Sequence, residues 1–191
     1  MKKISISDFK PITQDNPNFL YLRINERTCS TRYLVLDKGK TLLLDSGDGE
    51  DSLDFTPDVC VLTHCHYDHV RGIKDSWKEI FYGEDEDGTL PYVEIPNRGK
   101  KITSNEFQFG KYIFEVIKTP GHTYGGISLF EPDSGTLFSG DTLFADGIWG
   151  RTDLGGSDKV IQNSLESLHA LNWKILCPGH GSFQTREGKR F

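Results

Sequence analysis

His64-Cys65-His66-Tyr67-Asp68-His69 sets three imidazoles and one carboxylate within six residues. So many donors together are costly to a protein unless a positive ion sits among them. In an extended segment side chains alternate, so His64 and His66 face one way and Cys65 the other. Asp68 and His69 follow where the chain can bend and offer a second group of donors. Imidazole nitrogen combined with carboxylate oxygen suits zinc or iron. A polar loop that is rich in histidine by chance is the alternative, and this spacing speaks against it. The stretch reads as a metal site.

The same hexapeptide resembles the metal-binding motif of the metallo-β-lactamase-fold hydrolases. Asp45-Ser46-Gly47 precedes it, and Thr119-Pro120-Gly121-His122, Ser139-Gly140-Asp141-Thr142 and Pro178-Gly179-His180-Gly181 follow in that family's order. Gly150-Arg151-Thr152-Asp153-Leu154 is similar to a segment of glyoxalase II-like hydrolases and of the related persulfide dioxygenases. The resemblance implies an α+β fold, the αβ/βα four-layer sandwich, with two mixed sheets and helices outside. Carried over residue by residue, it implies His64, His66 and His122 on a first metal and Asp68, His69 and His180 on a second. Asp141 would bridge the two, and Asp68 and Asp141 are also the candidate catalytic residues. The implied cofactor is a pair of zinc ions, with one Fe2+ or a mixed iron–zinc pair as the alternative. The implied reaction is hydrolysis of a thioester, a metal-bridging hydroxide attacking the carbonyl. A mononuclear iron persulfide dioxygenase, with His64, His122 and Asp141 as its triad, is the competing expectation. Lactonase, β-lactamase and nuclease-type members of the fold rank below it.

Composition narrows the remaining choices. At 191 residues, with 36% hydrophobic and 26% charged residues, the chain is expected to be one soluble domain over 1–191. A net charge of −6 argues against a phosphate-backbone surface, so a small-molecule substrate is expected and nucleic acid is not. Met1–Asp8 holds two lysines with no apolar run behind them. Neither a signal peptide nor a membrane span is expected. Cys29, Cys60, Cys65 and Cys177 are scattered, which fits free thiols and a cytoplasmic location. Oligomeric state has no sequence signal. There is no G-x-S-x-G, and Cys65 should face away from the donors, so a covalent route is not expected.

Along the chain, strands are expected at 19–24, 32–37, 41–45 and 58–63, with a hairpin turn at Asp37-Lys38-Gly39-Lys40. Any helix between Gly49 and Asp58 must be very short or missing. A short helix near 69–75, a strand at 79–82 and hairpins over 107–117 and 127–139 follow. Glu84, Asp85, Glu86 and Asp87 read as a solvated acidic loop. Ser157 to Asn172 has helical spacing of Val160, Ile161, Leu165, Leu168 and Leu171, with Ser157 and Asp158 placed to cap it. His169 lies on that helix, away from any donor motif. A last strand at 174–177 leads to His180. The buried strand at 59–62 should deliver its histidines at its C-terminal end, where α/β folds hold ligands.

Three further residues carry open alternatives. Asp45 can receive the N–H of a metal-bound histidine or close a strand-end turn. Tyr124 can line the substrate pocket or simply pack. Arg151 can grip a substrate carboxylate or pair with Asp153 to fix its loop. Only eleven residues follow His180. The resemblance therefore implies a short glyoxalase II-like protein without the C-terminal helical domain, and weak recognition of glutathione is expected.

Overall fold

A computed structural model describes residues 2–23 and 30–186. In chain order the strands are β1 (Lys2–Ile4), β2 (Lys10–Pro11), β3 (Phe19–Leu22), β4 (Arg32–Asp37), β5 (Lys40–Leu44), β6 (Asp51–Leu53), β7 (Val59–Val61), β8 (Ile80–Gly83) and β9 (Lys100–Ile102). They continue with β10 (Glu106–Phe109), β11 (Tyr112–Lys118), β12 (Ile127–Glu131), β13 (Thr136–Gly140), β14 (Ile175–Pro178) and β15 (Gln184–Thr185). The α-helices are α1 (Tyr67–Val70) and α2 (Asp158–Ala170).

One sheet has seven strands in the order β2-β3-β4-β5-β7-β8-β9, the other six in the order β10-β11-β12-β13-β14-β15. Both are mixed. In the first, hairpin pairing gives way to parallel pairing from β5 onward; in the second, only β13 and β14 run parallel. The β4–β5 turn has two central residues, Lys38 and Gly39, at φ 48° and 79°. That twist is the one that suits a two-residue hairpin.

Alternation along the strands builds the layers. Phe19, Tyr33, Val35, Leu42, Leu44 and Val61 face Phe109, Phe114, Ile127, Leu129 and Phe138 across the sandwich. Phe138 lies 5.2 Å from Tyr33 and 6.0 Å from Phe19, centroid to centroid, so aromatic rings join the two sheets at their middle. The opposite face of the second sheet gives Phe130, Leu137 and Leu176 to α2, which answers with Leu165 and Leu168. Ser157 caps α2, its hydroxyl accepting from the Val160 N–H.

The outer face of the first sheet is covered differently from the expectation of helices on both sides. Leu20, Leu34, Leu43, Cys60 and Leu62 pack against Ile4, Leu53, Val70 and Trp77, which come from short elements and loops. Between Asp45 and Val59 there is no helix; β6 pairs in parallel with β1 instead. Arg32, buried on β4, holds β6 through a two-pronged pair with Asp51, both contacts 2.7 Å. The short helix also sits earlier than expected, at 67–70. Arg71 caps it, and at Gly72, whose N–H donates to the Gly47 carbonyl, a Cβ would fall on the Ser46 carbonyl oxygen. The strand expected at 19–24 ends at Leu22, and Ile24 lies outside the described residues. No helix is long and apolar enough to cross a membrane among the described residues.

Candidate metal centre

The donor motifs all follow strands. Asp45 follows β5, the hexapeptide follows β7, His122 follows β11, Asp141 follows β13 and His180 follows β14. β5 and β7 run parallel, as do β13 and β14, and β11 shares their direction through two antiparallel steps. Loops at the carboxyl ends of like-directed strands meet at one edge. The Tyr33 hydroxyl donates to the Pro178 carbonyl at 2.7 Å, and the Ile127 N–H to the Thr63 carbonyl at 2.8 Å. Both bonds join the two sheets beside the donors.

His64, His66, Asp68, His69, His122, Asp141 and His180 converge there. Three donor groups form, each with its atoms within 4.8 Å of one another: His64, His66 and His122; His64, His69 and Asp141; and Asp68, His69 and His180. His66 Nδ1 stands 2.8 Å from His122 Nε2, and His180 Nε2 stands 3.1 Å from Asp68 Oδ2. Asp141 lies between the outer groups, 3.5 Å from His122 Nε2, 3.6 Å from His69 Nε2 and 3.4 Å from His180 Nε2.

Several imidazoles are held from behind, leaving one nitrogen turned inward. His122 Nδ1 donates to the Arg151 carbonyl at 2.7 Å. His69 Nδ1 is 2.8 Å from Asp45 Oδ2. The Thr63 hydroxyl donates to Asp45, so its oxygen can accept from His64 Nδ1 at 3.2 Å. His64 Nε2, His66 Nε2 and Asp141 Oδ1 are buried with no hydrogen-bond partner. Orphaned donors are expensive in a dry interior, and a cation among them accounts for the arrangement.

Charge tells the same story. Burial, then the neighbouring imidazoles, push His64 well below its ordinary value and His66 down to about 4. Burial also lowers His122, against the opposing pull of Asp141. These histidines are therefore neutral, the form that ligates metal. At His69 burial again disfavours charge, but Asp45, Asp68 and Asp141 outweigh it and carry the group up to about 10. At His180 burial is outweighed in turn, chiefly by Asp141 and Asp68, and the group is raised. Burial would raise Asp68, yet His69 and His180 draw it down to about 2. The carboxylate half of the cluster thus demands positive charge, which protons or a cation can supply. The residues present are able to bind metal.

His66, Asp68, His122, Asp141 and His180 floor a cleft of about 520 Å³ whose walls are Tyr67, Tyr92, Phe144, Leu154 and Arg151. Arg151 is exposed and forks onto Asp153 at 2.7 and 2.5 Å. Tyr124 does not reach this cleft. It is 51% exposed and lines a separate groove with Ile102, Val116 and Lys118, because the turn after His122 carries it round the corner. Cys65 is buried away from the donors, and Cys60 and Cys177 are likewise buried thiols; Cys29 lies outside the described residues. His169 is exposed on α2.

Sequence reasoning missed Thr63, Tyr92 and Glu86. Thr63 has a signal, a hydroxyl between the strand and the first histidine. Tyr92 has none, although its φ of 67° is unusual for a residue with a large side chain. Glu86 corrects the expectation of a solvated acidic loop: it is 7% exposed and bonded to Cys65 and Thr123, while Glu84 and Asp85 face outward to Lys118.

Residues 74–180 match the family described as the Metallo-beta-lactamase superfamily. A hydroxyacylglutathione hydrolase from Brucella ovis is 40% identical over 165 residues, 78% of this chain and 62% of the relative. The chain thus matches less than two thirds of that relative's length. Among solved structures, a BLEG-1 B3 metallo-beta-lactamase superimposes with a TM-score of 0.71 at 24% identity, covering 87% of this chain and 93% of that one. At that identity the likeness shows the fold alone. TTHA1623 in a di-iron-bound form is 26% identical, with a TM-score of 0.67, covering 86% of this chain and 93% of its own. Sandwich topology, donors at like-directed strand ends and the sequence match agree, and the chain belongs to the Metallo-beta-lactamase superfamily.

Proposed function

We propose that the chain is a metal-dependent hydrolase of thioesters, similar in activity to hydroxyacylglutathione hydrolase. The observation that carries the reading is Asp141 standing within 3.6 Å of imidazole nitrogens from the two outer donor groups, His122 in one and His69 and His180 in the other. One carboxylate shared by two groups suits two ions side by side, His64, His66 and His122 holding one and Asp68, His69 and His180 the other. Zinc is the ion we assign, because imidazoles and carboxylates with open positions match its preferences. When bound, the pair supplies hydroxide near neutral pH and polarises the carbonyl of the substrate. The chain's own part is to orient the ester. Tyr67, Tyr92, Phe144 and Leu154 offer apolar walls to the acyl or thiol portion, and Asp68 and Asp141 keep the floor anionic for cation binding. The activity named for the Brucella ovis relative supports the same reaction class.

Iron is the second reading, and the di-iron form of TTHA1623 is what favours it. In its mononuclear version His64, His122 and Asp141 would serve a persulfide dioxygenase. Metal analysis of protein purified without added metal, followed by assay of S-lactoylglutathione beside short acyl thioesters, separates the two. Two equivalents of zinc with thioester hydrolysis is expected. One equivalent of iron, with oxygen uptake on glutathione persulfide and no thioester hydrolysis, overturns the proposal.

A further inference from the structure

Glu86 belongs to none of the donor groups, yet its carboxylate joins the two loops that carry His64, His66 and His122. Its Oε1 accepts the Thr123 hydroxyl at 2.7 Å and the Cys65 N–H at 3.3 Å. Cys65 lies between His64 and His66, and Thr123 directly follows His122. One oxygen therefore spans the chain segments whose imidazoles meet at 2.8 Å.

The loop bearing Glu86 has no room to retreat. A Cβ on Gly125 would fall on the Glu86 backbone nitrogen, and one on Gly83 would fall on the Gly125 carbonyl. From outside, Lys118 ties down Glu84 and Asp85 at 2.5 and 2.9 Å. Burying a carboxylate costs free energy that two hydrogen bonds repay only in part. Its second oxygen is buried with no hydrogen-bond partner. The fold bears that cost at a place where one carboxylate reaches both loops.

We propose that Glu86 is a positioning residue of the metal centre, fixing the loop of His64 and His66 against the loop of His122 through Cys65 and Thr123. The proposal rests on the assignment of those histidines as ligands. Partners behind metal ligands commonly account for 10–100-fold in affinity.

The test is metal affinity by competition with a chromophoric zinc chelator, in the absence of substrate. Glu86→Ala should weaken zinc binding by about 10–100-fold and lower kcat with little change in KM. Glu86→Gln keeps an oxygen acceptor and should return affinity close to wild type. Thr123→Val deletes one of the two donors at nearly constant volume and should fall between them. Leu168→Ala, a core truncation under α2, should lower the melting temperature and leave zinc affinity unchanged. Wild-type affinity in Glu86→Ala, or an equal loss in Glu86→Gln, overturns the proposal. Should Glu86→Ala not fold, wild-type affinity in Thr123→Val overturns it alone. A wild-type chain with no zinc affinity removes the ligand assignment and this role with it.

Discussion

Asp45 Oδ2 lies 2.8 Å from His69 Nδ1, and the same carboxylate accepts the Thr63 N–H at 2.8 Å and the Thr63 hydroxyl at 2.9 Å. Thr63 immediately precedes His64, so one buried carboxylate aligns a residue of each donor group. Asp45 has φ 58°, in the left-handed region, where aspartate and asparagine are the least strained of the larger residues.

Asp45→Asn therefore keeps the backbone, removes the negative charge and turns one of the two accepting oxygens into a donor facing Thr63 or His69. Metal affinity should fall about 10–100-fold, with hydrolysis falling in parallel. Isothermal titration with zinc measures it, and unchanged affinity would separate Asp45 from the metal centre.

The two kinds of donor support were unequally legible in the sequence. Asp45-Ser46-Gly47 sits at a strand end in a motif, so its carboxylate could be suspected, although a turn explained it as well. Glu86 sits in an acidic run, where charge patterning points to water. Its inward turn goes with tertiary contacts, the bonds to Cys65 and Thr123 and the close packing at Gly125 and Gly83, and no local pattern reports it. The strands followed the same division. Long strand-like runs such as 32–37 and 112–117 declared themselves, whereas β1, β2, β6, β9 and β15, two or three residues each, exist through their pairing partners. Tyr124 had two open readings, and the one that placed it in the substrate pocket fails because the chain turns just after His122.

His64→Ala and His122→Ala should each remove most bound metal and at least about a hundredfold of activity, more than loss of an outer partner. His169→Ala should change neither, since its side chain is exposed on α2. Elemental analysis of the three purified variants decides it. Full metal content in either ligand variant would sink the assignment.

Burial raises Glu86 from 4.5 to about 7 against the opposing hydrogen bonds from Thr123 and Cys65 and the charge of His69. The sign follows from which state holds the proton. Below about pH 4.5 both folded and unfolded chains hold it, and no penalty exists. Between there and about pH 7 the unfolded chain releases it first, so stability falls as pH rises. Above pH 7 the full cost is present, on the order of 3 kcal/mol for such a shift. Glu86→Gln lacks this slope. Urea midpoints of metal-stripped protein should therefore favour the variant more at pH 8 than at pH 5, and a difference independent of pH would contradict the burial account.

Gly179 gives the sharpest steric test of the floor of the cleft. A Cβ there would fall on Asp141 Oδ1 and stand 2.9 Å from His69 Cε1. Its φ is not positive, so Gly179→Ala brings no left-handed strain and acts chiefly through the Asp141 contact, with a lesser one at 3.1 Å from the Gly140 carbonyl carbon. The carboxylate must swing aside, away from the imidazoles of both donor groups. Gly147→Ala is the converse case: nothing lies within 4 Å of the added carbon, but φ is 83°. It should cost about 1 kcal/mol of stability through the left-handed backbone alone. The expected pattern is a loss of metal affinity with a small shift in melting temperature for Gly179→Ala, and the reverse for Gly147→Ala. Calorimetry and chelator competition on the same preparations read both quantities. Retained affinity in Gly179→Ala would show that Asp141 can reach the metals from another rotamer, and that its present placement is not the one the centre requires.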